Sequence, residues 1–413
     1  MNFVYISPNF PAVMPHFCAA LHRNGVNVLG IGDAPYEELT EELKEALTEY
    51  FRVDSLENYD QVLRAVGYFT FHYGKIDWLE SNNEYWLSQD ARLRTDFNIA
   101  TGLKSHEMDH YKYKSRMKEI FAAAEIPAAR WQLARTFEDA LAFVAQTGYP
   151  IIVKPDSGVG ASDTWKIQSD AQLRAFFDAK LPVPYLMEEF VPGEVTTFDG
   201  VCNSRGEVLF SASHISPCSI MDMVNEGNDC LYYVNKKVPP DVRSAGEKVL
   251  AALHAQSRCF HLEFFRLTQN KAGLGKKGDL VALEINMRPA GGFTPDMLNY
   301  AYSADLYQIY ADMVTYDEVR HFYDGPRYYC AYFGRRDGRN YAHSHQEILA
   351  AYGDALCAVE RMPDALAGAM GNQVYIACFS SEKAGKAAAQ YILGPAQPAP
   401  GIPPAKSRRK ARQ

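Results

Sequence analysis

The stretch Leu280-Val-Ala-Leu-Glu-Ile-Asn-Met-Arg288 decides how this chain is read. An apolar run passes into alternation, which is the pattern of a strand. Side chains two apart on a strand share a face, so Glu284, Asn286 and Arg288 stand on one wall. A carboxylate and an amide oxygen are hard donors of the kind Mg²⁺ accepts, with its other positions left to phosphate and water. The guanidinium beside them can hold an anionic substrate or a developing negative charge. Alone, the same residues would read equally well as a salt-bridged strand face.

Three upstream runs bear on the choice. His261-Leu-Glu-Phe-Phe265 sets Glu263 inside an apolar strand, where an unpaired carboxylate is costly and a metal is a natural partner. Tyr149-Pro-Ile-Ile-Val-Lys154 reads as a buried strand ending in lysine, followed by the loop Asp156-Ser-Gly-Val-Gly-Ala-Ser162. Gly158 and Gly160 let backbone N–H groups approach phosphate oxygens, and Lys154 adds a point charge. No Gly-Lys-Ser/Thr closes this loop, so it is not a P-loop, and by itself it reads sooner as a surface hairpin. Met187-Glu-Glu-Phe-Val-Pro-Gly-Glu194 offers acids for an adenine amino group and ribose hydroxyls, though in isolation it is a charged strand exit.

Around these runs the chain alternates strand and helix. Phe3 to Ser7, Val26 to Ile31 and Ile76 to Leu79 read as strands, with helices from Val13 to Arg23, Tyr36 to Glu49 and Leu56 to Tyr73. That β-α-β order predicts a parallel, helix-covered sheet. No G-x-G-x-x-G follows the first strand, which argues against a dinucleotide enzyme. Further on, helices are expected over Lys112 to Ala124, Phe137 to Thr147, Val238 to Arg258 and Pro295 to Val314. Val195 to Val201 and Val208 to His214 form a hairpin, and Arg327 to Leu393 a small strand-helix-strand-strand-helix unit.

Composition narrows the class. The 413 residues are 47% hydrophobic and 22% charged, with a net charge of −8, which suits a globular protein and not a phosphate-backbone binder. The eight cysteines include no C-x-x-C pair, so neither a zinc site nor a redox motif is expected. With no leader and no long apolar span, the expected setting is soluble and cytoplasmic, with no membrane and no nucleic-acid partner. The Pro/Ala-rich end with its basic cluster, residues 394–413, is expected to be a disordered tail.

The order of these elements, a helix lysine, a strand lysine with a glycine loop, Glu-Glu-Phe-Val-x-Gly-Glu, His-x-Glu-Phe and Glu-x-Asn-x-Arg, resembles the ATP-grasp superfamily. It looks most like the branch of the carbamoyl phosphate synthase large subunit and biotin carboxylase. The resemblance covers roughly Ser105 to Val314. It implies a mixed α/β and α+β fold: a Rossmann-like pre-ATP-grasp domain (1–104), an ATP-grasp domain of two α+β subdomains (105–320) and a small C-terminal α+β unit (321–393). Position by position, it implies that Lys114, with Lys112 as rival, and Lys154 bind the nucleotide phosphates. Glu188, with the backbone near Phe190 and Val191, would meet adenine, and Glu194 the ribose. Glu263, Glu284 and Asn286 would hold Mg²⁺ (or Mn²⁺), and Arg288 would steady the acyl phosphate. The loop is poorer in glycine than the family norm, and the segment Ser211 to Lys237, with His214, Lys236 and Lys237, has no clear counterpart.

The implied activity is ATP-dependent ligation: a small carboxylate is phosphorylated to an acyl phosphate and passed to an amine, releasing ADP and phosphate. Rival readings are a bicarbonate-phosphorylating synthase-like or carboxylase-like subunit, and a catalytically silent ATP-binding regulator. Glu80-Ser-Asn-Asn-Glu84 is the stretch that best suits the acceptor pocket, because ligands of open α/β sheets lie beyond the carboxyl ends of strands. Its simpler reading is a capping turn. A homodimer is expected only from the general frequency of closed symmetry.

Overall fold

The computed structural model describes residues 1–158, 163–179, 183–217 and 227–396. Three sheets make up the described part. The first holds β1 (Asn2–Ile6), β2 (Asn27–Gly32), β3 (Glu49–Arg52) and β4 (Trp78–Glu80), all parallel, in the order β3-β2-β1-β4. Both faces of its centre are covered, so β1 and β2 are near-continuous apolar runs after Asn2 and Asn27. Phe3 and Tyr5 pack beneath the helix Met14–Arg23, while Val4 and Ile6 pack beneath the helix Tyr59–Tyr73.

The second sheet is antiparallel and small: β5 (Trp131–Leu133), β6 (Ile151–Pro155), β7 (Trp165–Ile167) and β8 (Tyr185–Glu189), ordered β5-β8-β6-β7. The helices Phe137–Thr147 and Asp170–Asp178 cover it.

The third sheet is large. It joins β9 (Gly193–Cys202), β10 (Val208–Ala212), β11 (His214–Ser216), β12 (Cys230–Val234), β13 (Arg258–Leu267), β14 (Leu280–Asn286), β15 (Tyr329–Arg335), β16 (Leu356–Arg361) and β17 (Gln373–Phe379). The order is β14-β13-β9-β11-β12-β15-β17-β16, with β10 beside β9. Gly200 is required at the crowded meeting of β9, β10 and β13, because a Cβ there would lie 2.0 Å from the Phe210 carbonyl oxygen.

Several expectations are corrected. Tyr36 to Glu49 is not one helix: a 3₁₀ turn, the helix Glu41–Ala46 capped by Thr40, and the start of β3 share it, since β2 offers an open edge for pairing. The helix from Pro295 to Val314 is two, Thr294–Tyr302 and Leu306–Tyr316; Ser303 turns left-handed (φ 47°) and Asp305 caps the second. The helix expected to reach Arg258 is Pro240–Ala252 and stops at Leu253, leaving Arg258 to open β13. The unit from Arg327 to Leu393 has a further helix, Asp364–Met370, between its second and third strands, and β15 pairs with β12 of the large sheet. Of the stretch expected to be a tail, residues 394–396 are held by backbone hydrogen bonds: Ala342 donates to Gly394, and Ala396 donates to Asn340. Residues 397–413 lie outside the described residues, as does Gly160.

The helix Leu306–Tyr316 joins the first and third sheets. Phe17 meets Tyr307 and Tyr310 edge-on, with centroids 4.8 and 5.3 Å apart. A second joint is polar. Fully buried Arg94 donates to the carbonyls of Leu79 and Leu103, each at 2.7 Å, and lies 3.2 Å from Glu80, which also meets Arg258 of the third sheet at 3.4 Å. Removing one partner of a buried charge pair leaves the other uncompensated, at about 3–5 kcal/mol. Arg94→Ala is therefore expected to lower unfolding stability by about that amount in urea titrations, with the transition midpoint moving and the slope unchanged.

Candidate active site

Strand pleating builds the site. On β9, Thr197 and Asp199 face one way and Phe198 the other; on β13, His261 and Glu263 oppose Phe260, Leu262 and Phe264. The register aligns Asp199 with His261, Thr197 with Glu263, Glu263 with Glu284 and His261 with Asn286. Residues directly opposed across an antiparallel pair share a face. One face of β9, β13 and β14 is therefore polar, while the other packs on the helices Lys114–Ala123 and Pro240–Ala252. Glu263, Glu284 and Asn286 stand together on the polar face, as the alternation predicts.

The first residue of the helix Lys114–Ala123 meets this face. Lys114 Nζ lies 2.8 Å from Glu284 Oε1 and donates to the Gly158 carbonyl at 3.2 Å. One turn on, Lys118 Nζ lies 2.5 Å from Glu188 Oε1 without hydrogen-bond alignment, and Lys154 Nζ lies 2.6 Å from Glu188 Oε2. Asp156 fixes the start of the helix, accepting from the Ser115 N–H and hydroxyl at 2.8 Å each, while its own carbonyl accepts from the Lys114 N–H. Lysines from a helix and from β6 thus converge on carboxylates of two sheets.

The surroundings move several ionisation equilibria. Burial would raise the Glu188 carboxyl, but Lys118 and Lys154 override it and hold it at about 2. Burial lowers Lys118 despite Glu188, whereas Glu284 raises Lys114 against the same effect. Burial would also lower His261, yet Asp199 and Glu263 raise it to about 9. Asp199 and Glu263 are both held low against burial, Asp199 by His214 and His261, and Glu263 chiefly by His261.

Arg288 is engaged from the first sheet. Its Nη2 lies 2.5 Å and its Nε 3.2 Å from Glu84 Oε2, and Nη1 donates to the Pro289 carbonyl at 2.8 Å. Asn83 caps the 3₁₀ turn Glu84–Trp86, accepting from the Tyr85 N–H, whereas the helix Leu87–Asp96 that follows has no side-chain cap.

Other expectations fare differently. Lys112 is exposed beside Tyr113, whereas Lys114 meets Glu284. The Glu188 carboxylate is occupied by lysines rather than open toward a base. Phe190 lies under Lys166, and Val191 is buried against Leu267 and Val281. Glu194 is separated from the set: it is exposed at the start of β9, opposite Arg266, on the parity of Phe198 and not of Asp199. His214 lies inside, bonded to Asp199, and Lys237 is exposed. Sequence reasoning missed Lys118, although it stands four residues after Lys114 on one helix face. It also missed Asp199, although a carboxylate between Phe198 and Val201 in a strand was a visible signal, and it gave Asp156 no role.

A family description, "Carbamoyl-phosphate synthase L chain, ATP binding domain", matches residues 109–182. Along the sequence, the chain is 22% identical over 147 residues to the carbamoyl phosphate synthase large chain of Methanothermobacter thermautotrophicus, covering 34% of this chain and 14% of that one. It is 25% identical over 252 residues to the L-arginine-specific L-amino acid ligase of Bacillus subtilis, covering 59% of each. In three dimensions it superposes on the L-amino acid ligase of Bacillus licheniformis with a TM-score of 0.69 at 15% identity, covering 95% and 96% of the two chains. The fold is the ATP-grasp fold. This chain spans only a small part of the carbamoyl phosphate synthase large chain, and more than half of the L-arginine-specific ligase.

Glu188 gives a direct test of the site's electrostatics. Its carboxyl is depressed from the ordinary 4.5 to about 2, so its contribution to stability is present above pH 4.5 and fades as pH falls toward 2. Chemical denaturation from pH 6 to 2.5 should show stability falling across that window. Glu188→Gln should flatten the fall and lower stability at pH 7 by about 3–5 kcal/mol, since two buried lysines lose their partner.

Proposed function

We propose that this chain is an ATP- and Mg²⁺-dependent ligase that converts a small carboxylate to an acyl phosphate and transfers the acyl group to an amine. The observation that carries the reading is the opposed pair Glu263 and Glu284, with Asn286 on the same face, met by Lys114 beside the Lys154 strand. The donor set fits magnesium: it offers only oxygens, and Lys114 already supplies Glu284 with the positive charge that a cation would replace. Bound there, the cation would offset the charge of the nucleotide phosphates.

The chain's own residues do the rest. Lys114 exchanges Glu284 for a phosphate oxygen, which frees that carboxylate. Lys154 turns from Glu188 toward the phosphates while Lys118 stays to balance Glu188. Arg288 holds the carboxylate of the acid, and Glu84 accepts a cationic group next to it, so the pair suits the two ends of an α-amino acid. An oxygen of the held carboxylate attacks the γ-phosphorus and ADP leaves. The amine nitrogen then attacks the acyl carbon, phosphate departs, and the amine's proton is lost to solvent. Similarity to amino acid ligases supports this substrate class, and similarity to carbamoyl phosphate synthase supports bicarbonate as the rival acid.

Phosphate release across a panel of amino acids, amines and bicarbonate tests the reading. Release is expected only with ATP, Mg²⁺ and an acid–amine pair, and should stop with a chelator. Glu284→Gln and Glu263→Gln should each lower kcat by about 10²–10³-fold. Arg288→Lys should weaken the acid's apparent affinity, since an ammonium cannot reproduce the fork. Release with bicarbonate alone would move the assignment to the rival acid. Tight ATP binding with no release for any pair would end the ligase reading.

A further inference from the structure

Behind Glu263 lies a buried polar chain that the proposed chemistry does not use. His261 bonds Asp199 Oδ1 from Nδ1 at 2.6 Å and Glu263 Oε1 from Nε2 at 2.9 Å. The second oxygen of Asp199 accepts from His214 Nδ1 at 2.9 Å and from the Thr197 hydroxyl. The His214 N–H in turn donates to Thr197 Oγ1 at 3.0 Å. The two imidazoles lie nearly parallel, 14° apart with centroids 5.5 Å apart. Asp199 is 1%, His261 6% and His214 9% exposed.

We propose that Asp199 and His261 form a buried relay that fixes the Glu263 carboxylate for cation binding, with His214 and Thr197 locking Asp199 from behind. This inference rests on the ligase reading and deepens it by adding positioning residues to its cation site. Both ring nitrogens of His261 are committed to carboxylates, so the ring cannot turn without losing a bond at each end. Both oxygens of Asp199 are committed as well. The fold has no need of this arrangement, because the other face of the same strands already packs through Phe198, Phe260 and Leu262. Buried polar groups in such a place cost desolvation that apolar residues of equal volume would avoid. What the network adds is orientation: a glutamate side chain otherwise samples several rotamers, and a carboxylate preset for a cation loses less freedom on binding.

The test is Mn²⁺ binding, followed by electron paramagnetic resonance with ADP present, on the full chain. Asp199→Asn and His261→Asn should weaken Mn²⁺ binding by about 10–100-fold, the range seen when the outer partners of metal ligands are removed. ADP affinity without metal should stay within about twofold, and kcat should recover at saturating Mn²⁺, a split that general structural damage would not produce. Thr197→Val, which removes a hydroxyl that bonds Asp199 and lies 3.0 Å from His214 Nδ1 but leaves both imidazoles in the chain, should give a smaller shift in the same direction and keeps the test open if Asp199→Asn does not fold. Wild-type affinity in all three variants overturns the relay and leaves the ligase reading standing. No Mn²⁺ binding by the wild-type chain overturns the cation site itself, and the relay with it. A transition metal that co-purifies with the wild-type chain and is lost in Asp199→Asn would make the cluster a metal centre and overturn the positioning role.

Discussion

The structure depends on five charges buried between two sheets. Lys118 and Lys154 share Glu188, and Lys114 holds Glu284. Taking a charge from water costs several kcal/mol unless a partner restores it, and each of these groups has such a partner. The pairs therefore fix where the helix Lys114–Ala123 sits, with one lysine on the large sheet and another on the small one. In the proposed reaction they also couple two ligands. A phosphate that draws Lys114 away leaves Glu284 unbalanced, and a cation restores the balance; equally, a cation on Glu284 releases Lys114. Nucleotide and metal should thus favour each other by linkage.

The pleat of the large sheet makes this possible without sacrificing a core. The same ten residues of β13 carry Phe260, Leu262 and Phe264 into an apolar cluster and present His261 and Glu263 to the site. Because the side-chain period is two, a one-residue slip would exchange the faces, burying carboxylates in the core. Register here is set by packing, and packing thereby sets the chemistry.

The first sheet contributes more than a flank. Glu84 reaches Arg288, and Glu80 reaches Arg258 at the start of β13, so both ends of one short turn touch the large sheet. The aromatic contacts of the helix Leu306–Tyr316 hold the same two bodies together at a distance from the site. A substrate held between Glu84 and Arg288 would lie across a boundary that the rest of the fold keeps closed.

Much of this was legible in the residue order. β14 runs over Leu280–Asn286 as read, and alternation at its end sets Glu284 and Asn286 on one face with Ile285 on the other. The helix Phe137–Thr147 and the parallel character of the first sheet followed from local pattern as well. Where one local signal overlapped another, the reading failed. Ser303 carries no Gly or Pro to announce the break in the helix from Thr294, and β3 exists because β2 offers it an edge. The partners of the ionised groups were also invisible. Nothing in the sequence says that Glu188 answers to Lys118, that Glu84 lies against Arg288 more than two hundred residues away, or that Glu194 falls on the opposite side of the sheet from Asp199. Periodicity is a property of neighbours along the chain, so the sequence by itself determines faces and elements. Charge pairing acts through space, and only the tertiary structure decides which carboxylate meets which lysine.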